Sequence, residues 1–221
     1  MHIIAHIRND LREKFGAPRQ SGLAEHLKGR IVFTPEFRIP EALRGLEGFS
    51  HIWLIWLFSQ NEGWSPTVRP PRLGGNERVG VFACRSPFRP NPLGLSCVRL
   101  ERVELTAKDG PVLHVRGADL IDGTPILDIK PYLPSSDSIP DASAGFTAGL
   151  ADALLRVEFS PSAAAMLSQD QQETLREILR LDPRPRYHSD PERIYGMKFG
   201  NFNVRFRIAG GAAYVIDIAT T

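Results

Sequence analysis

Apolar positions along the chain fall in the short bursts expected of strands. Ile3 to Ile7 reads as a first strand and Val32 to Phe37 as another extended piece. His51 to Phe58, HIWLIWLF, is apolar almost throughout; it is too short to cross a membrane and predicts a strand buried on both faces. Val79 to Ala83, Val112 to Val115, Ala118 to Leu120 and Ile126 to Ile129 are further short runs. In Leu95 to Leu105 the apolar phase slips between Leu100 and Val103, which a β-bulge explains. Ile39 to Leu46, with Pro40 in a first turn and Gly45 near the end, predicts a short helix. Short strands punctuated by Gly and Pro point to a barrel or sandwich.

The pattern changes after residues 134–151, a stretch rich in Ser, Asp, Pro, Ala and Gly that reads as a linker or long surface loop. Leu154 to Phe159 predicts a strand. Ser168 with Gln171 forms a capping-box pattern, and Leu175, Ile178 and Leu179 then share one helical face until Asp182-Pro183 stops the helix. Tyr195 to Phe199, Asn203 to Ile208 and Ala213 to Ile218 predict three strands, with Gly210-Gly211 placed for a hairpin turn. The expected fold is mainly β with an α+β part: a β-barrel domain over residues 1–137 and a small α+β domain over 138–221.

At 221 residues and 42% apolar content the chain can bury a sizeable core. It holds no uncharged apolar run of membrane-spanning length. The N-terminal MHIIAHIRNDLREKF lacks the apolar core and small-residue cleavage site of a secretory signal. Cys84 and Cys97 are too few for a disulfide framework, so a reduced, cytoplasmic setting is expected. The net charge of +2 conceals an asymmetry: residues 69–102 carry +5, residues 103–182 carry −7 and residues 183–221 carry +3. Concentrated basic charge suits a polyanion, although a solvated basic face would look the same.

Three polar constellations carry candidate chemistry. In RVGVFACRSPFRPNPLGLS, from Arg78 to Ser96, Pro87, Pro90 and Pro92 stiffen a loop that presents Arg85 and Arg89. A stiff loop meets its ordering cost at folding and is suited to an anion or nucleic acid. In IDGTPILDIKPYLPSSD, from Ile121 to Asp137, a turn at Asp122-Gly123-Thr124-Pro125 leads into a strand that places Asp128, Lys130 and Tyr132 on one face. That face reads equally as an exposed charged edge or as the lining of a polar site. In LREKFGAPRQSG, from Leu11 to Gly22, Lys14, Arg19 and Gln20 surround Gly16 and Pro18 in a loop that follows the first strand. Other site patterns fail. Arg89 lies one place short of the spacing from Cys84 that a phosphatase loop needs, and the six histidines are scattered, so no metal is expected. No nucleotide-triphosphate loop, dinucleotide turn or serine elbow is present.

Taken together, KFGAPRQSG at Lys14, RGLEGFSHIWLIWLF at Arg44, RPPRLGGN at Arg69, the Arg78 to Ser96 stretch, DGTPILDIKPYLP at Asp122 and DPRPRY at Asp182 resemble the TsaA-like (TrmO) tRNA methyltransferases, in order and over most of the chain. The resemblance implies a β-barrel body with a small C-terminal domain, and S-adenosylmethionine bound without a Rossmann fold. It also implies methylation of the N6 atom of N6-threonylcarbamoyladenosine beside the anticodon of threonine tRNA, by a homodimer with the cofactor near the subunit interface. Carried over residue by residue, it assigns Pro18, Arg19, Gln20, Ser59, Gln60, Arg85, Leu95, Ile121, Asp122, Gly123 and Thr124 to the cofactor; Ser59 stands where some relatives carry His. Asp128, Lys130 and Tyr132 are placed nearest the chemistry. Phe88, Arg89 and Asn91 of the proline loop are expected at the anticodon loop, with Phe88 stacking on a splayed base. Arg69, Arg72, Arg184, Arg186 and Arg193 are expected on phosphates. Trp53, Trp56 and Phe58 are expected in the core. The competing readings are a non-catalytic RNA-binding barrel and the same cofactor chemistry on another RNA or a small molecule.

Overall fold

A computed structural model describes residues 1–70, 77–148, 153–185, 188 and 190–221. Six strands close into an antiparallel barrel: β1 (Ala5–Asn9), β2 (Lys28–Phe33), β3 (His51–Leu57), β6 (Leu93–Thr106), β7 (Gly110–Arg116) and β8 (Pro125–Pro131), in the order β1-β2-β7-β6-β3-β8. A two-stranded ribbon, β4 (Thr67–Val68) with β5 (Val79–Gly80), stands apart from it. Alternation explains the closure. Ile52, Leu54 and Trp56 of β3 point inward and meet Ile7, Ile31, Val98, Leu113, Val115 and Ile126 in one apolar cluster. Each fully buried aliphatic side chain there contributes about 1.5–3 kcal/mol.

The structure revises several sequence expectations. β3 is fully buried on its inner face only; His51, Trp53, Ile55 and Leu57 lie half-buried on the outside. Val79 to Ala83 is not one strand, because the chain turns into a 3-10 helix at Val81–Ala83. The second extended piece starts earlier, at Lys28, and gives way to a 3-10 turn at Pro35–Phe37. The helix expected after Ile39 is a 3-10 turn over Pro40–Leu43, and residues 118–120 form no strand. The slip in β6 is present as a register shift between Leu100 and Arg102.

Between barrel and tail, the Ser- and Pro-rich stretch contains a helical turn, α1 (Pro134–Asp137), and a 3-10 turn at Gly145–Thr147. The tail sheet has the order β10-β11-β12-β9, formed by β9 (Arg156–Phe159), β10 (Ile194–Phe199), β11 (Phe202–Ala209) and β12 (Ala212–Thr220), with β9 and β12 parallel. Gly210 and Gly211 both take positive φ in the hairpin between β11 and β12, as expected of that turn. Helices α2 (Pro161–Ala165) and α3 (Gln169–Arg180) cover the sheet; Ser168 and Gln171 close a reciprocal capping box, and Leu175, Ile178 and Leu179 are buried.

The long connector from β1 to β2 belongs to both halves. Its Leu11, Ala24 and Leu27 sit in the apolar cluster of the tail sheet. Leu11 bridges to Phe199, the Gly200 amide donates to the Asp10 carbonyl at 2.8 Å, and the Lys198 amide donates to Glu13 Oε1 at 2.8 Å. His26 and Lys28 reach Glu177 and Asp170 of α3. The tail therefore grips the segment that carries Pro18, Arg19 and Gln20.

Candidate active site

Three polar loops meet at one rim of the barrel. They are the β1–β2 connector, the proline-stiffened loop after Ala83, and the turn that joins β7 to β8. The crevice between them has three lobes of about 1060, 370 and 410 Å³ with shared walls. Arg19, Gln20, Cys84 and Arg85 border the first two lobes; Trp56, Phe58 and Asp119 border the second and third; Pro87 and Phe88 border the first and third. Arg85 donates to the Gln20 side-chain oxygen, tying the connector to the proline loop. Phe146 and Thr147, from the stretch that leads to the tail, close one side of the largest lobe.

Most residues expected at the cofactor lie on these walls: Pro18, Arg19, Gln20, Ser59, Gln60, Arg85, Leu95, Ile121 and Thr124. Lys14 reaches across to the Gln60 carbonyl at 3.4 Å and to Asn61 Oδ1 at 3.2 Å. Asp122 and Gly123 shape the turn instead of lining the crevice. Gly123 takes φ +81° and its amide donates to the Ile7 carbonyl, while Asp122 turns away and pairs with Arg12 at 2.5 Å.

Of the residues expected at the substrate, Phe88 is half-exposed on the wall shared by two lobes, and Arg69 borders the largest lobe. Arg89 braces its own loop: its guanidinium donates to the Val81 and Cys84 carbonyls at 2.9 and 2.6 Å. Asn91 is exposed at the loop's end and does not border the crevice. Arg184 is held by its neighbour Asp182, and Arg193 lies over the Tyr195 ring. Arg72 and Arg186 lie outside the described residues.

The three residues placed nearest the chemistry lie outside the crevice of this chain. Asp128 and Lys130 pair with each other at 3.1 Å on the outer face of β8, opposite Ile55 and Trp53. Tyr132 packs against Trp53 and His51. None of them borders the crevice. Asp128 and Lys130 share a face, as strand alternation predicts, and that face is the outer one of the barrel.

Other groups, with little site signal in the sequence, also line the crevice. Trp56 and Phe58 pack together at 4.2 Å between centroids and line two lobes, so they serve as both core and wall. Behind them Trp56 Nε1 donates to Ser96 Oγ at 3.0 Å, and Ser96 Oγ donates to Asp119 Oδ1 at 2.5 Å. Burial pushes the Asp119 carboxyl above its ordinary range, against the opposing pull of Ser96 and Arg85. The available signal was an acid set between Ala118 and Leu120 in an otherwise apolar run.

Residues 6–138 match the family model of the tRNA-methyltransferase O N-terminal domain, and residues 152–221 match that of its C-terminal domain. The chain belongs to the tRNA-methyltransferase O family. A relative in Escherichia coli (strain K12), named tRNA (adenine(37)-N6)-methyltransferase, is 45% identical over 96% of this chain and 94% of its own. One in Pseudomonas aeruginosa, provisionally named an S-adenosylmethionine-dependent methyltransferase, is 43% identical over 92% of this chain and 90% of its own. A solved structure of TrmO from Pseudomonas aeruginosa superposes with a TM-score of 0.79 at 36% identity, covering 99% of both chains. TrmO members share S-adenosylmethionine as a family property. The donor set of the crevice fits such a group: Lys14, Arg19 and Arg85 for a carboxylate tail, Trp56 and Phe58 for its apolar body, and the Asp119 carboxylate for a cationic centre.

Proposed function

We propose that this chain is an S-adenosylmethionine-dependent methyltransferase of tRNA, acting on N6 of adenine 37 in its threonylcarbamoylated form. The observation that carries the reading is the rim crevice. Gln20 and Arg85, 65 residues apart on two different loops, are hydrogen-bonded there, and the same walls include the turn at Ile121 and Thr124. Bound S-adenosylmethionine would supply an electrophilic methyl group. The protein's part is positioning: a preformed pocket that holds donor and acceptor in line supplies much of the rate. Arg19, Gln20, Lys14 and Arg85 hold the cofactor's polar ends, Trp56 and Phe58 hold its apolar body, and half-exposed Phe88 is presented to a base splayed from the anticodon loop.

The cytoplasm, where tRNA is available, is the proposed setting. A homodimer is the proposed assembly. The outer face of β3 and β6 pairs Trp53, Ile55 and Leu57 with Cys97, Leu95 and Leu93, and Leu95 is 55% exposed while also bordering the crevice. Light scattering on the purified protein should give twice the chain mass; a monomer at working concentration removes the dimer from the proposal.

The deciding experiment is nucleoside mass spectrometry on a strain lacking this chain. Loss of the methylated threonylcarbamoyl nucleoside, restored on re-expression, is the expected result. An unchanged profile overturns the assignment. Calorimetry with S-adenosylmethionine separates it from a non-catalytic RNA-binding barrel, for which no heat of binding would be seen.

A further inference from the structure

Methylation of a ureido nitrogen leaves one proton to dispose of, and the crevice walls limit where it can go. Among the described residues that border the three lobes, Asp119 is the one Asp, Glu or His; the other ionisable side chains are Lys14, Arg19, Arg69, Arg78, Cys84, Arg85 and Arg89. Asp119 also borders two of the lobes, within reach of a group held in either.

Its orientation is fixed from behind. An indole N–H can only donate, so the Trp56 bond makes Ser96 Oγ an acceptor, and the hydroxyl proton of Ser96 must point to Asp119 Oδ1. Ser96 and Trp56 are buried, at 1% and 7% exposure, so this polarity is locked by packing. Oδ1 is therefore held as an acceptor by Ser96, and the Ser21 and Asp119 amides donate to the same carboxylate.

We propose that Asp119 is the proton acceptor of the reaction, with the Trp56–Ser96 pair as its positioning residues. The inference rests on the functional reading above. The carbon–sulfur bond of the donor breaks with its electron pair remaining on sulfur, the nitrogen's pair forms the new N–CH3 bond, and the nitrogen's proton leaves. Asp119 takes that proton, becomes a neutral carboxylic acid, and releases it to water when the product departs. The setting suits the task. Burial favours the neutral acid, while Arg85 from the proline loop, the Ser96 hydroxyl from β6 and the Ser21 amide from the connector favour the carboxylate that must be present beforehand. Lys14 and Arg89 are the other cations of the two lobes that Asp119 borders, apart from Arg19 and Arg85 at the Gln20 junction, and Cys84 is their remaining ionisable group.

Two variants test this. Asp119→Asn should bind S-adenosylhomocysteine within about threefold of wild type, yet lose ~100-fold or more in single-turnover methyl transfer. Ser96→Ala removes a donor that favours the carboxylate. The acidic limb of its pH–rate profile should therefore move to higher pH, and so should the titration of the Asp119 carboxyl carbon followed by NMR in the cofactor-free protein. The proposal is overturned by an Asp119→Asn enzyme within a few-fold of wild type, or by a Ser96→Ala profile and titration that do not move. If the wild-type protein transfers no methyl group to threonylcarbamoylated tRNA, the functional reading itself fails, and the two failures are told apart by that control.

Discussion

Gly94 lies beneath the Trp56 indole, and a Cβ there would sit 2.1 Å from Cε2. The obstacle is a buried ring that cannot swing aside. Gly94→Ala should cost about 1–3 kcal/mol through overpacking. In a chain of this size that lowers Tm by several degrees, roughly 2–4 °C for each kcal/mol, readable by calorimetry. The Asp119 carboxyl gives a second prediction at this scale. Its proton is held more tightly in the folded chain than in the unfolded one, where the ordinary value is 3.8. Between that value and the raised folded one, the folded form binds more protons, so stability falls as pH rises through the window and stays reduced above it. Asp119→Asn should therefore melt higher than wild type at neutral pH, with the gap closing as pH drops below the ordinary carboxylate range. Melting curves across pH check this, and a gap that widens toward acid would contradict it.

At the scale of elements, α3 owes its start to Ser168, whose hydroxyl accepts from the Gln171 amide while the Gln171 side chain accepts from the Ser168 amide. Ser168→Ala should cost about 1 kcal/mol, seen as a lower denaturant midpoint with unchanged slope. The cap was legible in the sequence because its chemistry is local, as were the bulge in β6 and the Gly210-Gly211 turn. Features decided by distant contacts were less visible. Val79 to Ala83 is uniformly apolar and gives no period to separate strand from 3-10 turn. His51 to Leu57 has apolar residues on both faces, so only barrel closure shows which face is inside. Asp119 lies in a loop, and nothing local reveals that Ser96 and Trp56 stand behind it. The crevice walls were largely legible, because their loops are marked by Pro, Arg and Gly; the position of Asp128, Lys130 and Tyr132 was not.

Across the whole molecule, the tail acts on the crevice through the connector. Gly16 takes φ +87° with Met197 packed against it, and Arg19 donates to the Asp182 carbonyl at 3.3 Å. Phe199→Ala, which empties a fully buried position in the apolar cluster shared with Leu11, should destabilise the protein by about 3–5 kcal/mol. It should also weaken S-adenosylhomocysteine binding measured by calorimetry below the melting transition, because Arg19 and Gln20 lose their support. Affinity equal to wild type in the folded variant would show that the connector holds its shape unaided.

The strand order of the two sheets has a further consequence. A ring of six strands has no free margin, whereas the tail sheet has two: β10, bridged to Leu11, and β9, a strand of four residues. Arg156 and Glu158 project from β9 into solvent. Strand addition at the β9 margin would meet alternating charge on a very short template. Neutralising both side chains is the change that would turn this margin into a nucleus for polymers.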